Sequence, residues 1–548
     1  MMPAGLTLPG LLAAADPGAF QSAALIMLCL YLCLLLALGF LGWKKSRNTE
    51  EDYYLAGRNQ GWIVSALTIM ATFFSSFAFL GQPGLVYKEG VAFALFALNV
   101  PVAAMVVYLV GRRISAAGRR HGHLTPGDMI CHHYGNSVLL RILVALVGFL
   151  YAIPYVVIQL NAGGIVSATT FPDPDGHTFL YGTYALAGVT VIYIMVGGMR
   201  SVAWTDVIQG ILLIGGMLLA GIATIAALGG IGKFLEKIND LPPEMLSLPG
   251  RSGGWPATKL MTVCVFAAAG SMIQPAQWMR YYSAKSGRDL KRSALLLGIV
   301  LAGCSLFGVI LLGLGGEVLY PAITDGETFS PHPEVGESVD QILVVVLKNH
   351  VPNVLGGGIG VLLAAMVCVA IMAASMSTAD SNLHAMGAVF TRDIYARLLK
   401  PSSGDAERTW VGRAVILAAT FLAVILIRVK DTNPDFEPFK LIAEMGLLAI
   451  AFSSQLLPIT IDMLFLRRGN GTGAIWGLLT GLAVVFFFTP FFSMAVKETG
   501  GGDIAISFIK DISRSIDTGA FALVANVSVF ALVSRLTGPP KETGGKKT

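Results

Sequence analysis

The stretch Gly81-Gln82-Pro83-Gly84 interrupts one long apolar run of this sequence, and Gly270-Ser271-Met272-Ile273-Gln274-Pro275 interrupts another. The first break is preceded by a hydroxyl pair, Ser75-Ser76. A helix that loses its turn inside a membrane leaves backbone carbonyls and N–H groups without partners. Irregular backbone at that depth is tolerated where it is buried in protein or lines a cavity, and transporters use it to bind ions and solutes. The competing explanation is that Pro and Gly are simply frequent in membrane helices.

Composition fits the membrane setting. The chain has 548 residues, 55% of them hydrophobic and 13% charged, where a soluble domain has about 25% charged. An ordinary soluble enzyme is excluded. The 63 Gly follow no collagen-like period and fall inside apolar runs, where they allow close helix approach. Net charge is +5, and the Lys and Arg lie in short loops rather than one patch, so a nucleic-acid footprint is absent. The expected partner is the lipid bilayer, and no obligatory protein partner is evident. Five of the six Cys lie in apolar segments without C-x-x-C spacing, so neither a disulfide framework nor a metal knuckle is expected.

A spanning helix needs roughly 20 mainly apolar residues. Runs of that kind cover residues 20–43, 62–86, 91–110, 138–170, 178–197, 203–228, 259–280, 293–319, 355–384, 409–429, 437–466, 472–496 and 517–537. The chain therefore reads as an all-α integral membrane protein with about 13 transmembrane helices. One transmembrane domain, 20–537, is expected between an extracytoplasmic segment, 1–19, and a tail, 538–548. The first 19 residues carry no Lys or Arg and so lack the basic start of a secretory signal.

Alternate loops carry the positive charge. One side holds Lys44, Lys45, Arg47 and Arg58; Arg112, Arg113, Arg119 and Arg120; Lys285, Arg288, Lys291 and Arg292; Arg392, Arg397 and Lys400; Arg467 and Arg468; and the Lys-rich tail. The other side has acidic stretches around Glu327 to Asp340 and Asp431 to Glu437. The positive-inside rule then places the N-terminus outside and the C-terminus in the cytoplasm of a cell-membrane protein. The two interrupted runs are the second and seventh. That offset of five is the one expected if spans two to six (62–228) and seven to eleven (259–466) are inverted repeats, with one helix before them and two after.

In the ninth run, Ala373-Ala374-Ser375-Met376-Ser377-Thr378-Ala379-Asp380-Ser381 places oxygens inside an apolar helix. Ala374, Ser377, Thr378 and Ser381 fall on one helical face at i, i+3, i+4 and i+7, so hydroxyls and a freed carbonyl can converge there. A hard monovalent cation such as sodium suits an oxygen shell of this kind. The alternative is that these hydroxyls bond back to their own helix or join neighbouring helices. Two ionisable residues also lie in apolar runs, Asp380 and Asp206, and by default such residues mark function. Asp206 has the alternative of favouring the dipole of a helix start. Asp380 has that of pairing with Arg392 or Arg280. Glu444 and Asp462, nearer helix ends, read as structural.

Four stretches, in order and spacing across nearly the whole chain, resemble the sodium/solute symporter family. They are Asp52-Tyr53-Tyr54-Leu55-Ala56-Gly57-Arg58; Gly197-Gly198-Met199-Arg200 with Trp204-Thr205-Asp206; Gln277-Trp278-Met279-Arg280 running to Ala284-Lys285; and Met376-Ser377-Thr378-Ala379-Asp380-Ser381 leading to Thr391-Arg392-Asp393-Ile394-Tyr395. The resemblance implies a LeuT-like core of two five-helix inverted repeats and sodium as the coupling ion, with no other cofactor. It implies a sodium site made by the carbonyls of Ala71, Phe74 and Ala374 with the hydroxyls of Ser377 and Thr378. Some relatives hold a second ion at positions that correspond to Ser75, Asp206, Asp380 and Ser381.

The cargo is less directly implied. Proline-carrying members have an Asp where this sequence has Phe73, and sugar-carrying members have Gln and Glu where it has Ala78 and Ala97. The stretch from Ser75 to Lys88 is more similar to pantothenate and monocarboxylate symporters. Ser76, Gln82, Gln159, Gln274 and Gln455 are the candidate solute ligands, uncharged polar groups able to hold a carboxylate beside apolar walls, or else to join helices. The expected function is sodium-driven symport of a small organic solute, best a monocarboxylate or pantothenate-like anion, with a proline-like amino acid as the alternative. A proton-coupled carrier using Asp380 or Asp206, and a transporter-like sensor, are the rivals. No enzymatic chemistry is expected: His121, His123, His132 and His133 lie on a basic loop without paired carboxylates, and no phosphate-binding G-x-x-x-x-G-K-[ST] loop is present.

Overall fold

The computed structural model describes residues 17–45, 49–173, 175–325, 328–336, 338–433, 442–489, 492–493 and 503–538. The expected terminal segments fall almost wholly outside these residues, as do Arg47, Glu327, the start of run 437–466 and the end of run 472–496.

Eight continuous helices are long and apolar enough to cross a bilayer, and three more crossings are helix pairs bent by over 40°. One of the eight, Thr178–Ala227, has 50 residues and so runs about 75 Å, more than twice the roughly 30 Å hydrocarbon core. It breaks at Gly198, whose φ of 58° and ψ of −158° are not helical, and so supplies the fifth and sixth crossings. The apolar helix Gly471–Phe487 supplies the twelfth. The described residues thus make about 13 crossings, as the apolar runs lead one to expect.

The seventh span bends at Gln274-Pro275, as its sequence leads one to expect, but the second bends at Ser75-Ser76 and not at Gly81-Gln82-Pro83-Gly84, which stays helical within Phe77–Glu89. Trp62–Phe73 and Phe77–Glu89 meet at 59°, and Ala257–Ile273 and Pro275–Ser283 at 56°. An odd offset reverses the direction of crossing, so these two similarly bent spans run antiparallel, as the LeuT-like inverted repeat requires. The eleventh span is also bent, by 43° between Ile442–Ser454 and Leu457–Leu466. Its Pro458 follows the break and cannot donate to the preceding turn.

The centre of the bundle is the ninth span, Gly357–Val389, buried from Val367 through Val389. It packs on the first, fourth, fifth and sixth spans, and small residues set the separation. A Cβ on Gly216 would stand 2.8 Å from Ala370 Cβ. A long connection precedes the ninth span. It contains a short hairpin, Ile323–Asp325 with Thr328–Ser330, and a further helix, Ile342–Leu355, whose first turns are buried.

Candidate functional site

The second span comes apart at the position that matters chemically. Its first helix closes with the Phe74 N–H on the Met70 carbonyl at 2.8 Å, and Phe74 itself is extended, with ψ 95°. The Ala71 carbonyl, next along the ladder, is approached from the ninth span instead. Ser377 Oγ donates to it at 2.9 Å and Thr378 Oγ1 at 3.1 Å. Ser377 Oγ also lies 2.9 Å from the Ala374 carbonyl. The Ala71 oxygen is therefore met by Thr378, and by Ser377 with a single proton shared between the Ala71 and Ala374 carbonyls, from a segment more than 300 residues away. Ala71, Phe74, Ala374, Ser377 and Thr378 are all buried, and none carries a charge.

One turn further along both spans, the character changes. Arg280, 1% exposed, reaches from the seventh span to Asp206 Oδ2 at 3.0 Å and to the Thr68 carbonyl at 3.1 Å, and also donates to Ser381 Oγ. Ser381 Oγ lies 3.1 Å from Thr72 Oγ1 and 3.0 Å from Asp380 Oδ1, and the Tyr193 hydroxyl donates to Asp380 Oδ2 at 2.6 Å. The helix-dipole reading of Asp206 is corrected by this arrangement. The residue lies two turns beyond the Gly198 break, fully buried, against a guanidinium. Of the two pairing alternatives for Asp380, Arg392 is engaged with Glu50 and Asp128, while Arg280 makes its direct ion pair with Asp206 and reaches Asp380 through Ser381. Of the four positions expected for a second ion, Asp206, Asp380 and Ser381 meet. Ser75 does not join them: its hydroxyl accepts from the Phe77 N–H at 3.1 Å and caps the second half of the broken span.

The candidate solute ligands divide. Gln159 Oε1 accepts both the Ser76 N–H at 3.1 Å and the Ser76 hydroxyl at 2.7 Å, so this pair holds the broken span against the fourth. Gln82 lines a narrow, nearly closed cleft together with Phe73, Phe77, Asn99, Tyr155 and Ser271. Gln274 does not line it. Its Oε1 accepts the Ala276 N–H at 2.6 Å and caps the helix that starts at Pro275. Gln455 is likewise removed from the solute set, because its Oε1 accepts from Asn526 at 3.1 Å and its amide bonds the Ala451 carbonyl at 3.0 Å. It joins the eleventh span to the thirteenth. Asn99, Tyr155 and Ser271 join Gln82 in the cleft; of these, Asn99 is an isolated amide in an apolar run and Ser271 belongs to the seventh-span interruption.

On the side of the basic loops, backbone bonds tie the start of the second span to the end of the seventh: Gln60 N–H to the Ser283 carbonyl at 3.1 Å, and Lys285 N–H to the Gln60 carbonyl at 2.7 Å. Toward the opposite side, a cavity of about 1360 Å³ is lined by Leu85, Lys88, Lys259, Glu444, Ala451 and Asp517, among others. Three of the four sequence stretches that carry the family resemblance meet on the basic side. Asp52 pairs with Arg200, Tyr54 donates to Thr391 Oγ1 at 3.3 Å, and a Cβ on Gly198 would stand 2.7 Å from the Tyr53 ring. Glycine there is required both by the positive φ and by that approach.

A family model described as the sodium:solute symporter family matches residues 53–481. The chain belongs to this family. The sodium/proline symporter of Escherichia coli K12 is 26% identical over 491 residues, covering 88% of this chain and 90% of the relative. The sodium/pantothenate symporter of Haemophilus influenzae is 25% identical over 470 residues, covering 85% and 90%. Among solved structures, a Na+-coupled sialic acid symporter in a substrate-bound outward-open state superposes with a TM-score of 0.73 at 21% identity, covering 96% of this chain and all of that one. Mhp1, a nucleobase-cation-symport-1 family transporter, gives 0.50 at 14%, covering 88% and 94%. As a symporter of this family, the protein is a multi-pass membrane protein that couples solute movement to sodium.

Proposed function

We propose that this symporter carries a small organic solute into the cell with a sodium ion held by the carbonyls of Ala71, Phe74 and Ala374 and the hydroxyls of Ser377 and Thr378. The observation that carries this reading is the Ala71 carbonyl, which leaves its helical ladder and meets two hydroxyls of the ninth span. An oxygen-only, uncharged shell suits a hard cation that must also leave. Bound there, the ion joins the broken second span to the ninth. Solute beside Gln82, Asn99 and Ser271 contacts the other half of the same break, so each ligand favours the arrangement that the other needs, and the coupling is reciprocal. A potential of 100 mV acting on one sodium charge supplies about 2.3 kcal/mol, roughly fiftyfold in accumulation.

The second cluster, Asp206, Asp380 and Ser381, takes a fixed cation, Arg280, in this reading, rather than a second sodium. With the basic loops assigned to the cytoplasm, the N-terminus is outside and the large cavity above Ala451 opens toward the exterior, so the described arrangement is outward-facing. The transporter domain spans 20–537, with its repeats at 62–228 and 259–466. For the cargo we favour a monocarboxylate or pantothenate-like anion, since the cleft offers neutral amide and hydroxyl donors beside Phe73, Phe77 and Phe96. A proline-like amino acid is the second reading, favoured by the sodium/proline symporter of Escherichia coli K12 and by the high-affinity proline transporter PutP of Bacillus subtilis, 27% identical over 459 residues.

Sodium-gradient uptake by proteoliposomes, run over monocarboxylates, pantothenate, amino acids and sugars, tests both levels. Sodium-dependent uptake of one carboxylate class is the expected result. Uptake driven by a proton gradient alone would overturn sodium coupling, and uptake confined to proline would select the second reading.

A further inference from the structure

The basic side of the bundle holds two kinds of cation. Arg58, Arg141, Arg392 and Arg408 are each within 3.5 Å of a carboxylate, those of Glu51, Asp128, Asp393 and Glu50. Arg112, Arg288, Lys291 and Arg292 have no ion pair among the described residues, and all four are exposed. They converge on one place. Arg288, Lys291 and Arg292 line the rim of a groove of about 1530 Å³ between the third and eighth spans. Arg112 lies over the Tyr108 ring at 5.1 Å and Lys291 over the same ring at 5.9 Å.

Below that rim the groove is apolar and faces outward from the bundle. Its walls are Met105, Leu295 and Ile299, which are 54%, 68% and 66% exposed. Its floor is the close approach of the two helices at Gly298, where a Cβ would stand 3.2 Å from Ala104 Cβ. The small residues Ala104, Ala294 and Gly298 therefore leave a channel along the helix pair, with unneutralised cations only at the end where the span emerges from the hydrocarbon. A free inorganic anion would use the rim and leave the channel unexplained. An apolar molecule would use the channel and leave four unpaired cations. A diacyl phospholipid with a net negative headgroup uses both, through phosphate on the guanidinium and ammonium groups and an acyl chain along the channel.

We propose that this groove is a binding site for one anionic phospholipid of the surrounding bilayer, held on the side of the basic loops. The assignment does not depend on which solute is carried or where sodium binds.

Native mass spectrometry of the full-length protein in detergent measures the binding directly, with phosphatidylglycerol and phosphatidylcholine of identical acyl chains as probes. Wild type is expected to retain one phosphatidylglycerol in preference to phosphatidylcholine. The triple variant Arg288→Gln, Lys291→Gln, Arg292→Gln should weaken that binding by about a hundredfold, from roughly fivefold per charge. A control variant removes three charges elsewhere on the same side, Lys44→Gln, Arg467→Gln and Arg468→Gln, and should retain the lipid. Ala104→Phe keeps every charge but fills the channel, and should also weaken binding. Equal loss in the control, equal retention of both lipids, unchanged binding in either groove variant, or displacement of the lipid by millimolar inorganic phosphate would each overturn the proposal.

Discussion

Two oxygen clusters lie one turn apart along the second and ninth spans, and they differ in what neutralises them. In the first, Ala71, Ser377 and Thr378 bring together a carbonyl and two hydroxyls with no charged side chain. In the second, Asp206 pairs with the guanidinium of Arg280, and Ser381 is bonded to both Arg280 and Asp380. A buried carboxylate without a counter-charge is expensive, so the second cluster carries a covalently attached cation at all times. The first needs none to remain folded, because its hydroxyl protons satisfy the freed carbonyl. The difference teaches where an exchangeable ion belongs: in the cluster whose bonds can be replaced by a cation without leaving a charge stranded.

The sharpest way to break this comparison is to remove the fixed cation. Arg280→Ala strands Asp206 and should cost about 3–5 kcal/mol of stability, read as a large drop in the unfolding temperature of the purified protein. Adding Asp206→Leu should recover much of that loss. An unfolding temperature unchanged by Arg280→Ala would mean that the guanidinium is not neutralising the cluster. Next in size is the effect of sodium on folding. At a hundredfold excess over its dissociation constant, sodium should stabilise the wild type by about 2.7 kcal/mol relative to choline. The variant Ser377→Ala with Thr378→Ala should lose that increment, whereas a retained increment would move the ion elsewhere.

The sodium concentration for half-maximal uptake should hardly change between about pH 6 and 8, because no group of the first cluster titrates there. A strong pH dependence would favour the Asp206–Asp380 cluster, and proton coupling, instead. The smallest effects separate two glutamines that look alike in the sequence. Gln159→Ala, which frees Ser76 at the broken span, should raise the KM for solute about fivefold, the equivalent of one hydrogen bond. Gln455→Ala should leave KM unchanged and lower stability by about 1 kcal/mol, since it severs the contact with Asn526.

What could be read from the sequence follows from the range of the interaction involved. Apolar runs report spans because the bilayer imposes a length on each segment separately, and Gln274-Pro275 reports the seventh-span bend because the backbone geometry there is local, whereas Gly81-Gln82-Pro83-Gly84 is absorbed into the helix Phe77–Glu89 and the second-span bend falls at Ser75-Ser76. The face shared by Ala374, Ser377 and Thr378 is likewise a local periodicity. Arg280 was legible as charged but not as the partner of Asp206, since that pair joins the sixth and seventh spans through packing. The capping role of Gln274 has a local signal, since it precedes a proline at a helix start. Gln455 had no such signal, because Asn526, its partner, is 71 residues away on another span. The cleft residues Asn99 and Tyr155 come from the third and fourth spans and meet Gln82 only after the bundle assembles.

The most direct test of the sodium assignment is a sodium titration of solute uptake in proteoliposomes, comparing wild type with Ser377→Ala plus Thr378→Ala at equal amounts of inserted protein. The half-saturating sodium concentration should rise at least about tenfold, the equivalent of roughly 1.4 kcal/mol of lost ion binding, while the solute remains transported at high sodium. An unchanged half-saturating concentration would contradict the assignment of sodium to the carbonyl of Ala71 and the hydroxyls that meet it.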